Sequence, residues 1–99
     1  MEYKAKFQDE QTDQLFRAIL SLENLEECYR FFEDIGTIQE IKSLAQRLEV
    51  AIMLRQKKTY HEIAKKTRAS TATISRVNRC LNYGAGGYSL ILDRMEAEE

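Results

Sequence analysis

The stretch YHEIAKKTRASTATISRVNRCL, residues 60–81, decides the fold of this 99-residue chain. Its pattern predicts one short helix over residues 60–67 and a second from Thr71 to about Leu81, joined by a three-residue turn. Ala64 is small, as expected where a second helix crosses close to the first. The apolar residues that would lock the two helices together are Ile63, Ala69, Ile74, Val77 and Leu81.

Polar residues at the predicted helix starts support this reading. Thr59 and Glu62 form a capping-box pair before the first helix, and Ser70 can cap the second. The turn position commonly occupied by glycine is Arg68. Because a left-handed arginine would cost about 1 kcal/mol, the sequence predicts a different turn geometry at this position.

Charge is strongly segregated along the chain, although the net charge is only −1. Residues 55–88 carry eight Lys and Arg against one acid, a net charge of +7. Residues 1–54 carry −5 and residues 89–99 carry −3. This distribution favours attraction of a polyanion to one basic module. From charge alone, a solvated basic face is an equally good interpretation.

Helical patterns account for the rest of the chain, which is predicted to be all-α. The predicted helices cover 9–20, 25–35, 38–55 and 89–95, with a glycine-bearing connector at 83–88. Asn24 with Glu27, and Thr37 with Glu40, resemble capping boxes, and Gly36 is a stop signal. The helix over 25–35 is expected to bury Leu25, Cys28, Tyr29, Phe32 and Ile35. The stripe expected to face the core on the next helix is Ile38, Ile41, Leu44, Ala45, Leu48 and Ile52.

Length and composition indicate one domain over residues 1–99. Within it we distinguish dimerisation helices (1–56), the two-helix segment (57–82), and a connector with a C-terminal helix (83–99). Apolar residues crowd the N-terminal helices, and a small domain buries a limited share of its surface, so the sequence favours a homodimer. It contains no membrane-span or signal-peptide pattern, which predicts a cytoplasmic protein. Cys28 and Cys80 are expected to be free thiols.

The two-helix segment has the pattern of a helix-turn-helix, whose second helix enters the major groove of DNA. Arginine suits guanine, Ser and Thr suit several bases, and an alanine methyl suits thymine. The second helix would present Thr71, Ala72, Ser75, Arg76 and Arg79 to bases. The residues expected to contact the phosphate backbone are Lys57, Lys58, Lys65, Lys66 and Arg68.

Residues from Thr37 to Gly87 resemble the tryptophan repressor superfamily, and more closely its bacterial YerC/YecD-type Trp-repressor-like proteins. The matching elements are Ser43-Leu44-Ala45-Gln46-Arg47, Leu54-Arg55, Thr59-Tyr60-His61-Glu62-Ile63, Ala72-Thr73-Ile74-Ser75-Arg76 and Asn78 through Leu81. The resemblance implies six helices per subunit in an intertwined homodimer that binds palindromic operators. It also implies DNA-contacting roles for Tyr60 and His61, beside Thr71, Ala72 and Ser75.

The same resemblance implies an effector site. Two arginines grip the corepressor in the tryptophan repressor, and their counterparts are Arg47 and Arg76; two threonines correspond to Thr37 and Thr73. The glycine that leaves room for the indole ring is replaced by Val77. Since overpacking such a slot costs about 1–3 kcal/mol, we expect the effector not to be tryptophan. A salt bridge to an acid of the N-terminal helices is an equally good interpretation of Arg47.

These observations favour a sequence-specific, dimeric transcriptional regulator, most simply a bacterial repressor, that binds double-stranded DNA. A protein-interaction module that keeps the helix-turn-helix without binding DNA is the alternative. An enzyme is the weakest interpretation, because nothing orders Ser, His and Asp as a triad. His61 is the only histidine and has no partners at ligand spacing, so neither a metal nor a cofactor is expected.

Overall fold

The computed structural model describes residues 3–98, and over this range the chain is built from helices without strands. The six helices are α1 Glu10–Leu20, α2 Leu25–Ile35, α3 Ile38–Arg55, α4 Tyr60–Thr67, α5 Thr71–Tyr83 and α6 Gly87–Ala97. The all-α, six-helix fold expected from the sequence is confirmed. Within residues 3–98, none of the helices is both long enough and apolar enough to span a bilayer.

Side-chain caps fix several of the helix starts. The Thr59 hydroxyl accepts from the Glu62 N–H at 3.1 Å, and the Glu62 carboxylate accepts from the Thr59 N–H at 3.2 Å, which completes the predicted capping box. The Asn24 side chain likewise accepts from the Glu27 N–H, at 2.9 Å. The Glu27 carboxylate, however, accepts from the N–H of Glu23 rather than of Asn24. Asn24 is therefore the N-cap of α2 as expected, and only the return hydrogen bond of Glu27 is shifted by one residue.

The first helix begins at an aspartate cap. The Asp9 carboxylate accepts from the Thr12 N–H at 2.7 Å. Because this backbone hydrogen bond favours the charged form, it lowers the pKa of Asp9 below its usual value. The cap therefore remains ionised at neutral pH.

The described chain forms two compact units that divide between Ile38 and Gln39. In the first unit, neither α1 nor α2 contains a buried residue. Leu25 and Tyr29 are 73% and 70% exposed, and Ile35 is also exposed. The expectation that these three are buried is wrong for the single chain, whereas Cys28 and Phe32 are half-buried. The helical spacing identified an apolar stripe, but spacing does not supply the surface that would cover it.

The core of the second unit gathers side chains from α3 to α6. It consists of Val50, Ala51, Met53, Ile63, Ala69, Ile74, Val77 and Leu92. The predicted α3 stripe is only partly correct, since Leu48 and Ile52 pack against this core while Ile38, Leu44 and Ala45 are exposed. Residues 50–54 are all apolar. Periodicity therefore could not identify the side of α3 that is buried.

Close contacts join the C-terminal helices to this core. Arg55, at the end of α3, pairs with Asp93 and lies 3.5 Å from the Glu96 carboxylate of α6. Helix α6 begins two residues earlier than predicted.

At Gly84, just after α5, an added Cβ would lie 2.4 Å from the Cys80 carbonyl oxygen. Only glycine therefore fits the backbone as it stands at this helix end.

Ile63 is fully buried, so Ile63→Ala should destabilise the chain. We expect a loss of about 2–5 kcal/mol in the free energy of unfolding, from lost apolar burial and a residual cavity. Urea unfolding at one fixed protein concentration measures it. Tyr83→Ala, at a residue 87% exposed, is the control and should change stability by about 0.5 kcal/mol or less. Equal effects of both substitutions would contradict the assigned core.

Candidate nucleic-acid interface

Helix α5 has an anchored face and an open face. On the anchored face, Ile74 and Val77 are buried and Leu81 packs against the core. Together with Ile63 and Ala69, these are the residues predicted to lock the two helices. The exposed residues of α5 predicted to meet bases are Thr71, Ala72, Ser75, Arg76 and Arg79. Since positions three and four apart are neighbours on a helix, residues 72, 75, 76 and 79 form one continuous surface, which we call the α5 face.

The charge on the α5 face is not neutralised locally. Among residues 3–98, no ion pair involves Arg76 or Arg79, and the first turn of α5 contains no acidic residue. Ser70 caps the helix by accepting from the Thr73 N–H at 3.1 Å. The remaining N-terminal N–H groups carry the positive end of the helix dipole. The α5 face can therefore bind an anionic surface through both side chains and backbone.

A second set of basic residues flanks the α5 face. Lys57, Lys58, Lys65, Lys66 and Arg68 are all exposed. The Lys66 ammonium lies 3.2 Å from the Glu49 carboxylate, whereas none of the other four has an ion pair within residues 3–98. Tyr60 and His61 begin α4 and are also exposed.

The turn between α4 and α5 differs from our expectation. Arg68 is left-handed, with φ 63° and ψ 15°, and its N–H donates to the Ala64 carbonyl at 2.9 Å. The Thr67 hydroxyl donates to the Ile63 carbonyl and accepts from the Ala69 N–H, and the Gln46 side chain donates to the Thr67 carbonyl. These bonds fix the helix end in an αL motif. The prediction of another turn geometry was wrong, because this network sets the backbone whatever the side chain.

A second residue, Lys57, has a left-handed backbone that its sequence context does not predict. Lys57 has φ 65°. Beside it, the Lys58 N–H donates to the Met53 carbonyl and the Lys57 N–H to the Leu54 carbonyl, both at 3.0 Å. This is a Schellman motif, which usually contains glycine at the left-handed position. Because lysine occupies the position where glycine would signal this motif, the motif could not be predicted from the residues.

The residues proposed to hold an effector are distributed over both units. Arg47 is half-buried on α3, and its Nε donates to the Ser43 carbonyl at 3.5 Å. It borders an open depression of about 410 Å³, also lined by Gln39, Glu40, Ser43 and Leu44. Thr73 and Arg76 lie on α5; the Thr73 hydroxyl accepts from Ser70, and Arg76 is exposed. Thr37 belongs to the first unit. Val77, 1% exposed, is part of the core.

Comparison with known proteins assigns the chain to a family. The family model of the Trp repressor protein matches residues 10–96. The chain therefore belongs to the Trp repressor family, whose members are helix-turn-helix, DNA-binding regulators rather than enzymes.

Individual relatives match over most of their length. The uncharacterised protein YerC of Bacillus subtilis (strain 168) is 63% identical over 94 residues, which cover 95% of this chain and 90% of YerC. The crystal structure of a TrpR-like protein from Eubacterium eligens ATCC 27750 is 59% identical, with a TM-score of 0.89, over 92% of this chain and 94% of that one. A proposed Trp repressor from Staphylococcus aureus is 55% identical, with a TM-score of 0.88, over 92% and 91% of the two chains.

Proposed function

We propose that this protein is a sequence-specific transcriptional regulator of the repressor type that binds a palindromic operator as a homodimer. The α5 face carries the proposal, because it joins two unpaired arginines to small polar and methyl groups on one exposed side of an anchored helix. A helix of this kind fits the major groove and can hydrogen-bond base edges there. Family membership supports the same conclusion.

Dimerisation is supported by apolar side chains that the single chain leaves in water. Leu20, Leu25 and Tyr29 are each at least 70% exposed. Burial of apolar surface stabilises a fold or an interface by about 25 cal/mol per Å². Contact with a second copy of the chain is therefore the simplest way to bury these side chains. In such a dimer the two copies of α5 would enter successive major grooves about 34 Å apart.

The two sets of basic residues have different tasks in this proposal. Arg76 and Arg79 read bases, and guanine is the partner that best matches an arginine fork. The flanking cations, Lys57, Lys58, Lys65, Lys66 and Arg68, contact phosphates and supply affinity without sequence information. Tyr60 and His61 contact DNA at the start of α4.

We also propose that any effector is not tryptophan. The Val77 side chain is buried in the core, at the position where the resemblance to the tryptophan repressor places the space for an indole ring. The residues proposed to contact an anionic effector of another shape are Arg47, Thr73 and Arg76 of the second unit; Thr37 is a separate candidate in the first unit.

Salt dependence of duplex binding tests the proposed function. We expect the wild-type chain to bind duplexes selected from a random pool, with two chains per duplex. Log K should fall linearly with log salt concentration, and the slope should be about −0.9 for each phosphate contacted. Fluorescence anisotropy across a salt series measures this slope. Absence of duplex binding at low salt would favour the protein-interaction module instead.

Arg79→Ala should weaken binding to the selected duplex by about 1–3 kcal/mol, because it removes a bidentate contact to a base. The loss should be much smaller on a mixed-sequence duplex, where no base contact exists to lose. Arg94→Ala removes the same charge from an exposed residue of α6 and is the matched control. Unchanged affinity of the Arg79 variant for the selected duplex would remove this residue from the reading surface.

Titration calorimetry with L-tryptophan tests the effector proposal. We expect no binding heat at micromolar concentrations, since a side chain already fills the slot and overpacking it costs about 1–3 kcal/mol. The affinity for the selected duplex should also be the same with and without tryptophan. A saturable signal in the micromolar range would refute the argument from Val77.

A further inference from the structure

A side-chain hydrogen bond links α3 to the turn of the helix-turn-helix. The Gln46 Nε2 donates to the Thr67 carbonyl at 3.0 Å, and both residues are half-buried. Thr67 is the last residue of α4, and the last carbonyls of a helix have no partner within the helix itself. Gln46 of α3 therefore supplies a donor that the end of α4 lacks.

The acceptor of this bond lies close to the start of α5. The Thr67 hydroxyl donates to the Ile63 carbonyl at 2.8 Å and accepts from the Ala69 N–H at 3.1 Å. Ala69 is buried, and the residue that follows it, Ser70, is the N-cap of α5. Hydrogen bonds and a short stretch of backbone thus connect Gln46 on α3 to the first residues of α5.

A second polar contact between α3 and α4 is weaker. Glu49 lies three positions after Gln46, on the same side of α3, and its carboxylate is 3.2 Å from the Lys66 ammonium. The Lys66 side chain is 66% exposed, so water screens this ion pair and it constrains the two helices little. The hydrogen bond of Gln46 is therefore the better-defined polar link between α3 and the end of α4.

Stability alone does not account for the Gln46 bond. Thr67 is only half-buried, and water can satisfy a helix-end carbonyl that is not fully enclosed. Apolar packing already encloses Ile74 and Val77, but it is non-directional, so it selects the buried side of α5 without fixing the angle of the helix. A hydrogen bond has a preferred length and direction and can fix that angle.

The angle of α5 matters for contacts with bases. Arg79 lies eight residues after Thr71, the first residue of α5, which is about 12 Å along the helix. A rotation of about 10° at the helix start would therefore move Arg79 by about 2 Å, more than the range of lengths that a hydrogen bond tolerates. Contacts from mobile lysine side chains to phosphates would survive such a shift.

We infer that Gln46 is a positioning residue for operator recognition, which fixes the angle of α5 through the Thr67 carbonyl. This inference rests on the proposed function and goes beyond it, because it assigns a determinant of sequence specificity to α3, outside the helix-turn-helix. Its signature is a loss of discrimination between DNA sequences without a loss of affinity for DNA in general.

Gln46→Met tests this role, because methionine keeps the length of the side chain and removes the donor. We expect the affinity for the selected duplex to fall about tenfold, since base contacts lose their alignment. The affinity for a mixed-sequence duplex and the slope of log K against log salt should stay unchanged, because phosphate contacts are kept. Fluorescence anisotropy on both duplexes measures the ratio of the two affinities. The Tm should fall by less than about 10 °C, since one hydrogen bond is lost.

Two further variants serve as controls. Gln46→Lys restores a donor and should keep the wild-type ratio of the two affinities, because the added charge acts on both duplexes alike. Gln56→Met makes the same replacement as the test variant at an exposed residue just after α3, and it should also keep the ratio.

The outcomes separate this inference from the proposed function. A wild-type chain that binds no duplex contradicts the proposed function, and the inference with it. A wild-type chain that discriminates between the duplexes, with an unchanged ratio in Gln46→Met, overturns the inference alone. Three results would show that the residue does not act through its hydrogen bond on recognition, and each would overturn the inference: equal losses on both duplexes, the same loss of ratio in Gln46→Lys, or a Gln46→Met chain that is unfolded at the assay temperature.

Discussion

The packing of one side of α5 into the core is the constraint on which the proposed interface depends. Ile74 and Val77 are β-branched, so their side chains have few rotamers, and both are enclosed by residues of other helices that include Ile63 and Val50. Once this side is buried, helix geometry directs positions 72, 75, 76 and 79 outward together. The presentation of the two arginines therefore follows from apolar packing on the opposite side of the helix rather than from polar contacts of their own.

The polar contacts around this core have a smaller role in stability. The pairs of Arg55 with α6 and of Lys66 with Glu49 join one half-buried to one exposed side chain, and ion pairs near the surface typically contribute about 1 kcal/mol or less. They nonetheless pair Lys66 of α4 and Arg55 of α3 with carboxylates of other helices. Arg76 and Arg79 of the α5 face, by contrast, are in no ion pair within residues 3–98. The charge of the α5 face is thus left unpaired, whereas the two cations that face other helices are neutralised.

Local signals in the sequence predicted the helices well, whereas the surface that packs against each helix could not be predicted. Thr59 and Ser70 marked helix starts correctly because capping depends only on neighbouring residues. The stripe through Leu25 was expected to be buried, yet Leu25, Tyr29 and Ile35 are exposed, because periodicity does not show what packs against a helix. Arg68 was misjudged for a related reason: its conformation is set by a network that includes Gln46 of α3, distant in the sequence. Prediction of the exposed residues of the α5 face required only periodicity and charge, and both can be read from neighbouring residues.

The contact at Gly84 has a consequence for how this family can vary. The residue is exposed, and exposed positions usually tolerate replacement. Here the smallest side chain would meet a carbonyl oxygen of the preceding helical turn, so even alanine would force the end of α5 to move. Solvent exposure is therefore a poor guide to mutational tolerance at this junction. Functional variants should keep glycine at this position, whereas the exposed residues on either side can vary.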